Sequence, residues 1–164
     1  MGVVEPSPVT DLLARGGVLY DVPGADREAV LAATVDRLPL PDGVDRDRLL
    51  TELLGREALA STAIGDGLAI PHPQDGTARH MPQALLTLAF LAQPVAYDAP
   101  DGAPVFALFV LLSQNAGQHL RLLAHLGRIL QSAEVRAVLA RRAAAAEILA
   151  AFAREEAQHG APVS

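Results

Sequence analysis

The chain has 164 residues, a net charge of −6 and no cysteine, a length that suits one domain around one core. Without cysteine, disulfides, thiol catalysis and thiolate metal sites are excluded. The negative charge, 4% aromatic content and absence of tryptophan argue against binding nucleic acid through phosphate contacts or base stacking.

In chain order, Thr10 or Asp11 caps a short helix through Arg15, stopped by Gly16-Gly17. Val18 to Val22 reads as a strand ending at Pro23. A helix starts at Asp26, with Ala29, Val30, Ala33 and Leu38 as its buried stripe, and Pro39 and Pro41 close it. The next helix, Asp45 to Arg56, sets Leu49, Leu50, Leu53 and Leu54 on one face. Small residues punctuate Ser61 to Gly67, and the brief apolar run Leu68-Ala69-Ile70 ends at Pro71-His72-Pro73. Gln74 to Pro82 has the composition of an exposed loop. Ala84 to Ala92 and Val105 to Ser113 are near-continuous apolar runs of strand length, which predicts buried strands. Turn chemistry at Tyr97 to Gly102 separates them.

From Ala116 the pattern becomes helical, with His119, Leu122, Leu123, Leu126 and Leu130 on one face. Further helices are expected near Ala133 to Arg141 and Ala143 to Glu155. Strands interleaved with helices predict an α/β domain with a largely buried sheet. Residues 1–7 and 156–164 are expected to be flexible ends around a domain at 8–155. Neither a signal peptide nor a membrane span is expected. The N-terminal stretch is short and polar, and Arg141, Arg142 and Glu147 break the alanine-rich tail.

His72 is the sharpest candidate for chemistry. Pro71 and Pro73 restrict the backbone on either side, which holds an imidazole at the rim of a sheet. A neutral imidazole has a free ring nitrogen that attacks a phosphoryl group without a separate base. Taken by itself, a loop histidine is more often only an exposed polar residue. His119 sits on a buried stripe near a helix start, where a polar ring needs a partner and helix amides favour an anion. Its bland reading is a half-buried histidine at a core edge. His125 falls on another face and reads as surface; His80 and His159 carry no assigned role.

All 13 basic residues are arginine, which excludes a Schiff-base lysine and a lysine-dependent phosphate loop. Arg56, at a helix end, offers a guanidinium fork for phosphate oxygens, or else simply pairs with the helix dipole. Gly65-Asp66-Gly67 permits close backbone approach to a phosphate or a partner, though its usual meaning is a tight turn. Asp98 and Asp101 read as turn formers rather than a catalytic carboxylate pair. A metal site on His72 and His119 competes, but no metal-ligand spacing supports it.

Several stretches together resemble the enzyme IIA domain of the bacterial phosphoenolpyruvate-dependent sugar phosphotransferase system, fructose and mannitol class, with its nitrogen-regulatory branch. They are Arg56 to Thr62, Ile64 to His72, Asp98 to Gly102 with Pro104-Val105, the strand Phe106 to Leu112, and His119 to Leu126. The resemblance implies a single mixed β-sheet flanked by helices on both faces. It implies that His72 accepts a phosphoryl group from the phosphocarrier protein HPr, or its nitrogen-branch relative, beside Arg56 and His119. Gly65, Asp66 and Gly67 form the expected phosphate or partner loop. The phosphate then passes to a IIB domain, or the phosphorylation state regulates a target protein. No cofactor, metal, nucleic acid or membrane insertion is implied, and the location is cytoplasmic. Asp66 stands where asparagine is usual, and Pro73 where glycine or alanine is commoner.

Overall fold

Side-chain caps set where the helices start. Asp26, Asp45, Asn115 and Ser132 each accept a backbone N–H three residues on. The computed structural model describes residues 8–74 and 81–159. The described elements run α1 (Val9–Gly16), β1 (Val18–Val22), α2 (Arg27–Arg37), α3 (Arg46–Leu59), β2 (Ala63–Gly65) and β3 (Leu68–Ala69). They continue through β4 (Leu85–Val95), β5 (Val105–Leu112), α4 (Ala116–Ile129), α5 (Ala133–Ala140) and α6 (Ala145–His159).

The strands form one mixed sheet in the order β1-β4-β5-β3-β2. The two apolar runs, β4 and β5, pair antiparallel at its middle, with Leu88 opposite Phe109. β1 is parallel to β4, β3 is parallel to β5, and β2 is antiparallel to β3. Both faces are covered, which is why the central strands carry apolar residues towards both sides rather than alternating. On one face, Leu12 of α1, Leu122 of α4, Val135 of α5 and Phe152 of α6 join Leu88 and Phe109. On the other, Leu31 of α2 packs with Ala89, Leu91 and Leu108, and Leu53 of α3 with Leu85 and Val110.

The end of α1 lies directly on β4. A Cβ built on Gly16 would come 1.8 Å from the Leu86 carbonyl oxygen, so only glycine permits this approach. Thr87 Oγ1 donates to the Gly16 carbonyl at 3.0 Å across the same contact.

Two expectations are corrected at the C-terminal end. The expected flexible tail begins at residue 156, yet α6 continues through His159 and Glu156 is buried. Its carboxylate accepts the backbone N–H groups of Val9 and Thr10, at 2.6 and 2.9 Å. His125, read as a surface residue, is half-buried, with Nε2 3.7 Å from that carboxylate. The periodicity of α4 alone does not reveal α6 packing beside it. Met81, in the expected exposed loop, is also buried; residues 75–80 of that loop, His80 among them, lie outside the described residues. None of the described helices is long and apolar enough to cross a membrane.

Candidate functional site

Strand direction decides which residues meet. Because β3 and β5 run parallel, their carboxyl ends emerge side by side. His72 follows β3 by three residues, and Leu111 N–H still bonds to the Pro71 carbonyl at 3.0 Å. Ser113 follows β5, and the first turn of α4 carries His119. β2 runs antiparallel to β3, with Ala63 opposite Ala69, so the C-terminal end of α3, carrying Arg56, enters at this same end of the sheet. Residues 56, 72 and 119, far apart in sequence, converge there.

The two imidazole rings lie 4.6 Å apart between centroids and tilt by 43°. Both are buried, at 9% and 7% exposure. His72 Nδ1 lies 2.8 Å from the Ile70 carbonyl oxygen. A carbonyl only accepts, so Nδ1 carries the proton, and in the neutral ring Nε2 keeps its lone pair. His119 Nδ1 sits 3.2 Å from Ser113 Oγ.

Burial lowers the pKa of His72 from its ordinary value. The Ile70 carbonyl opposes that shift, the Arg56 charge adds to it, and the Glu57 charge opposes it. For His119, burial is again the largest cause, followed by the charges of His72 and Arg56, and its pKa falls to about 4. Both rings are therefore neutral at pH 7. Arg56 supplies fixed positive charge beside them. Its Nη1 donates to the Ala60 carbonyl at 2.7 Å, four residues on, which satisfies an orphan carbonyl at the end of α3. That helix ends at Leu59, not at Arg56 as the sequence pattern suggests.

Gly65, Asp66 and Gly67 do not join this constellation, which corrects their expected place at the phosphate. They form the β2–β3 turn, with φ of 92°, 56° and 81°, at the opposite end of β3 from His72. The left-handed geometry is what reversing the chain there requires. Asp66 turns its carboxylate to Arg136 of α5 at 3.1 Å, and its N–H donates to Asp101 Oδ2 at 2.9 Å. The Asp66 carboxylate is thus paired with α5, away from His72. Asp101 also accepts from Ala103 N–H at 3.1 Å, the turn-forming role expected of it.

The structure adds a residue that sequence reasoning missed. Glu57 is buried at 3% exposure. Its carboxylate accepts from Thr62 N–H at 3.0 Å, from Thr62 Oγ1, and from the Tyr97 hydroxyl at 2.9 Å. Burial and this carboxylate push the Tyr97 phenol up, so it stays a neutral donor. The Thr62 carbonyl accepts Ile70 N–H at 3.0 Å, and the Ile70 carbonyl accepts from His72. Glu57 thus anchors the backbone that orients the His72 ring. Its signal lay in spacing: Glu57 follows Leu49 and Leu53 at helical intervals of four, a carboxylate on an apolar stripe. Among the described residues, no group of three or more histidine, aspartate or glutamate side chains is arranged to hold a metal.

Comparison with known proteins identifies the family and the fold. The family model for the phosphoenolpyruvate-dependent sugar phosphotransferase system, EIIA 2, matches residues 11–155. The nitrogen regulatory protein of Pseudomonas aeruginosa is 39% identical over 129 residues, covering 76% of this chain and 81% of that protein. The fructose-specific EIIA component of Haloferax volcanii is 32% identical over 139 residues, covering 83% and 86%. Among solved structures, the nitrogen regulatory protein IIA-Ntr from Neisseria meningitidis superposes with a TM-score of 0.76 at 28% identity, covering 88% of this chain and 98% of that one. Enzyme IIAMTL, in its complex with phosphorylated enzyme IIBMTL from Escherichia coli, shares the fold at a TM-score of 0.66, with 16% identity and coverage of 83% and 93%. The chain belongs to the EIIA 2 family of the phosphoenolpyruvate-dependent sugar phosphotransferase system.

Proposed function

We propose that the chain is a phosphocarrier whose His72 Nε2 takes a phosphoryl group from phosphorylated HPr or its nitrogen-branch relative. The observation that carries this reading is the bond from His72 Nδ1–H to the Ile70 carbonyl, which reserves the Nε2 lone pair for attack. In the transfer, the phosphorus–donor bond breaks with its electron pair leaving on the donor, and a phosphorus–Nε2 bond forms. Positive charge then develops on the ring, and the Ile70 carbonyl stabilises it through the retained Nδ1 proton. The reaction asks the protein chiefly for positioning and for charge at the phosphoryl oxygens. Arg56 supplies the charge and His119 a polar neighbour. Exposed Leu59 and Leu120, each 66% exposed, adjoin Ala60 and His119 and suit docking of a small carrier protein that excludes water. The phosphoryl group passes onward by the reverse step to a IIB domain.

A second reading is favoured by the 39% identity to a nitrogen regulatory protein. In it, the phosphorylation state of His72 controls affinity for a target protein, since the added charge makes or breaks an interface. Both readings share the first step, and its test is direct. Mixing the chain with phosphorylated HPr should place an acid-labile phosphate on the His72 peptide, and His72→Ala should fold normally and take none. Labelling that persists in the variant would move the acceptor elsewhere. The two readings separate on whether a IIB domain discharges the label.

A further inference from the structure

Sequence periodicity demanded a partner for the buried His119 ring, and the structure supplies one from the end of β5. Ser113 is fully buried, and among the described residues its hydroxyl has one partner, His119 Nδ1 at 3.2 Å. A serine hydroxyl can donate or accept, so the direction of this bond decides the ring's tautomer. If His119 donated, the Ser113 O–H would be a buried donor with no acceptor. If Ser113 donates, only a spare lone pair goes unused, which is the cheaper arrangement.

We propose that Ser113 is a positioning residue for the phosphoryl site: its hydroxyl donates to His119 Nδ1 and holds that ring's proton on Nε2, ready to donate to a phosphoryl oxygen. The inference rests on the phosphocarrier reading for its functional meaning, but the tautomer itself is independent of that reading. Neutrality of the ring at pH 7, its pKa falling to about 4 through burial and the charges of His72 and Arg56, requires that one nitrogen only be protonated. The two imidazoles then take opposite tautomers. The Ile70 carbonyl puts the His72 proton on Nδ1 and leaves Nε2 as nucleophile. Ser113 puts the His119 proton on Nε2 and makes that ring a donor. With centroids 4.6 Å apart, one ring offers a lone pair to phosphorus while its neighbour offers a proton to the oxygens. The reverse tautomer of His119 would aim a second lone pair at an anion.

The test combines long-range proton–nitrogen correlation spectra of the full-length chain with the rate of labelling by phosphorylated HPr. Wild type should show His119 protonated at Nε2. Ser113→Ala, which fits the space, should mix the tautomers and slow labelling roughly tenfold, as expected when one hydrogen bond to a charged group is weakened. Ser113→Thr restores the hydroxyl and should restore both readouts. A wild-type ring protonated at Nδ1, a Ser113→Ala variant unchanged in tautomer, or a shifted tautomer with an unchanged rate would each overturn the proposal. If wild type takes no label at all, the phosphocarrier reading fails, and the tautomer spectra alone decide whether Ser113 governs the ring.

Discussion

In the proposed phosphocarrier, His72 is the nucleophile and Arg56 the fixed charge. Burial keeps His72 uncharged below the pH at which a free imidazole protonates. Labelling by phosphorylated HPr should therefore hold steady from about pH 8 down to about 6.5 and decline only in more acid solution. A rate that halves near the ordinary histidine value would show the ring to be unperturbed. Arg56 is legible as a candidate because the sequence pattern sets it near a helix end, just before a glycine-bearing segment. What sequence does not reveal is that its guanidinium bonds to the Ala60 carbonyl while charging the site. Arg56→Lys preserves the charge but not the planar fork. It should slow labelling on the order of tenfold with little change in stability; an undiminished rate would remove Arg56 from the mechanism.

Helices and strands follow local rules, and most were legible for that reason. The two central strands announced themselves as unbroken apolar runs, and the Asp26 and Asp45 caps marked α2 and α3. Failures came where one element is completed by another. The N-cap of α1 is Pro8, which offers no side-chain acceptor. Glu156, 147 residues from Val9, supplies the missing acceptor from α6. A pattern read along the chain ends the domain before Glu156, since nothing local says that this carboxylate is buried. Glu156→Ala leaves two N–H groups at the start of α1 without that acceptor and should cost about 1–3 kcal/mol in urea unfolding. Glu156→Gln, which keeps one acceptor oxygen, should cost less. Equal stability of all three proteins would deny the cap.

At the scale of the whole molecule, two neutral imidazoles buried at one sheet end tie stability to pH. The folded pKa of each lies below the ordinary histidine value, and that of His119 falls to about 4. Between about pH 6.5 and that value, the unfolded chain binds protons that the folded chain refuses. The contribution is thus complete above about pH 6.5 and drains away as pH falls. The urea midpoint of wild type should drop between about pH 7 and about pH 5, and His119→Gln should drop less. Identical pH dependence in the two proteins would mean that His119 titrates normally.

Sequence by itself determined the elements and the residue types at stake: a histidine between prolines, a second on a buried stripe, an arginine at a helix end. It did so because helix period, strand burial and proline geometry are properties of neighbouring residues. Only the tertiary structure decided which of these meet. Parallel pairing of β3 with β5 and antiparallel pairing of β2 with β3 gather Arg56, His72, Ser113 and His119 at one end and send Gly65-Asp66-Gly67 to the other. Strand direction is a relation between distant segments, so no local pattern encodes it.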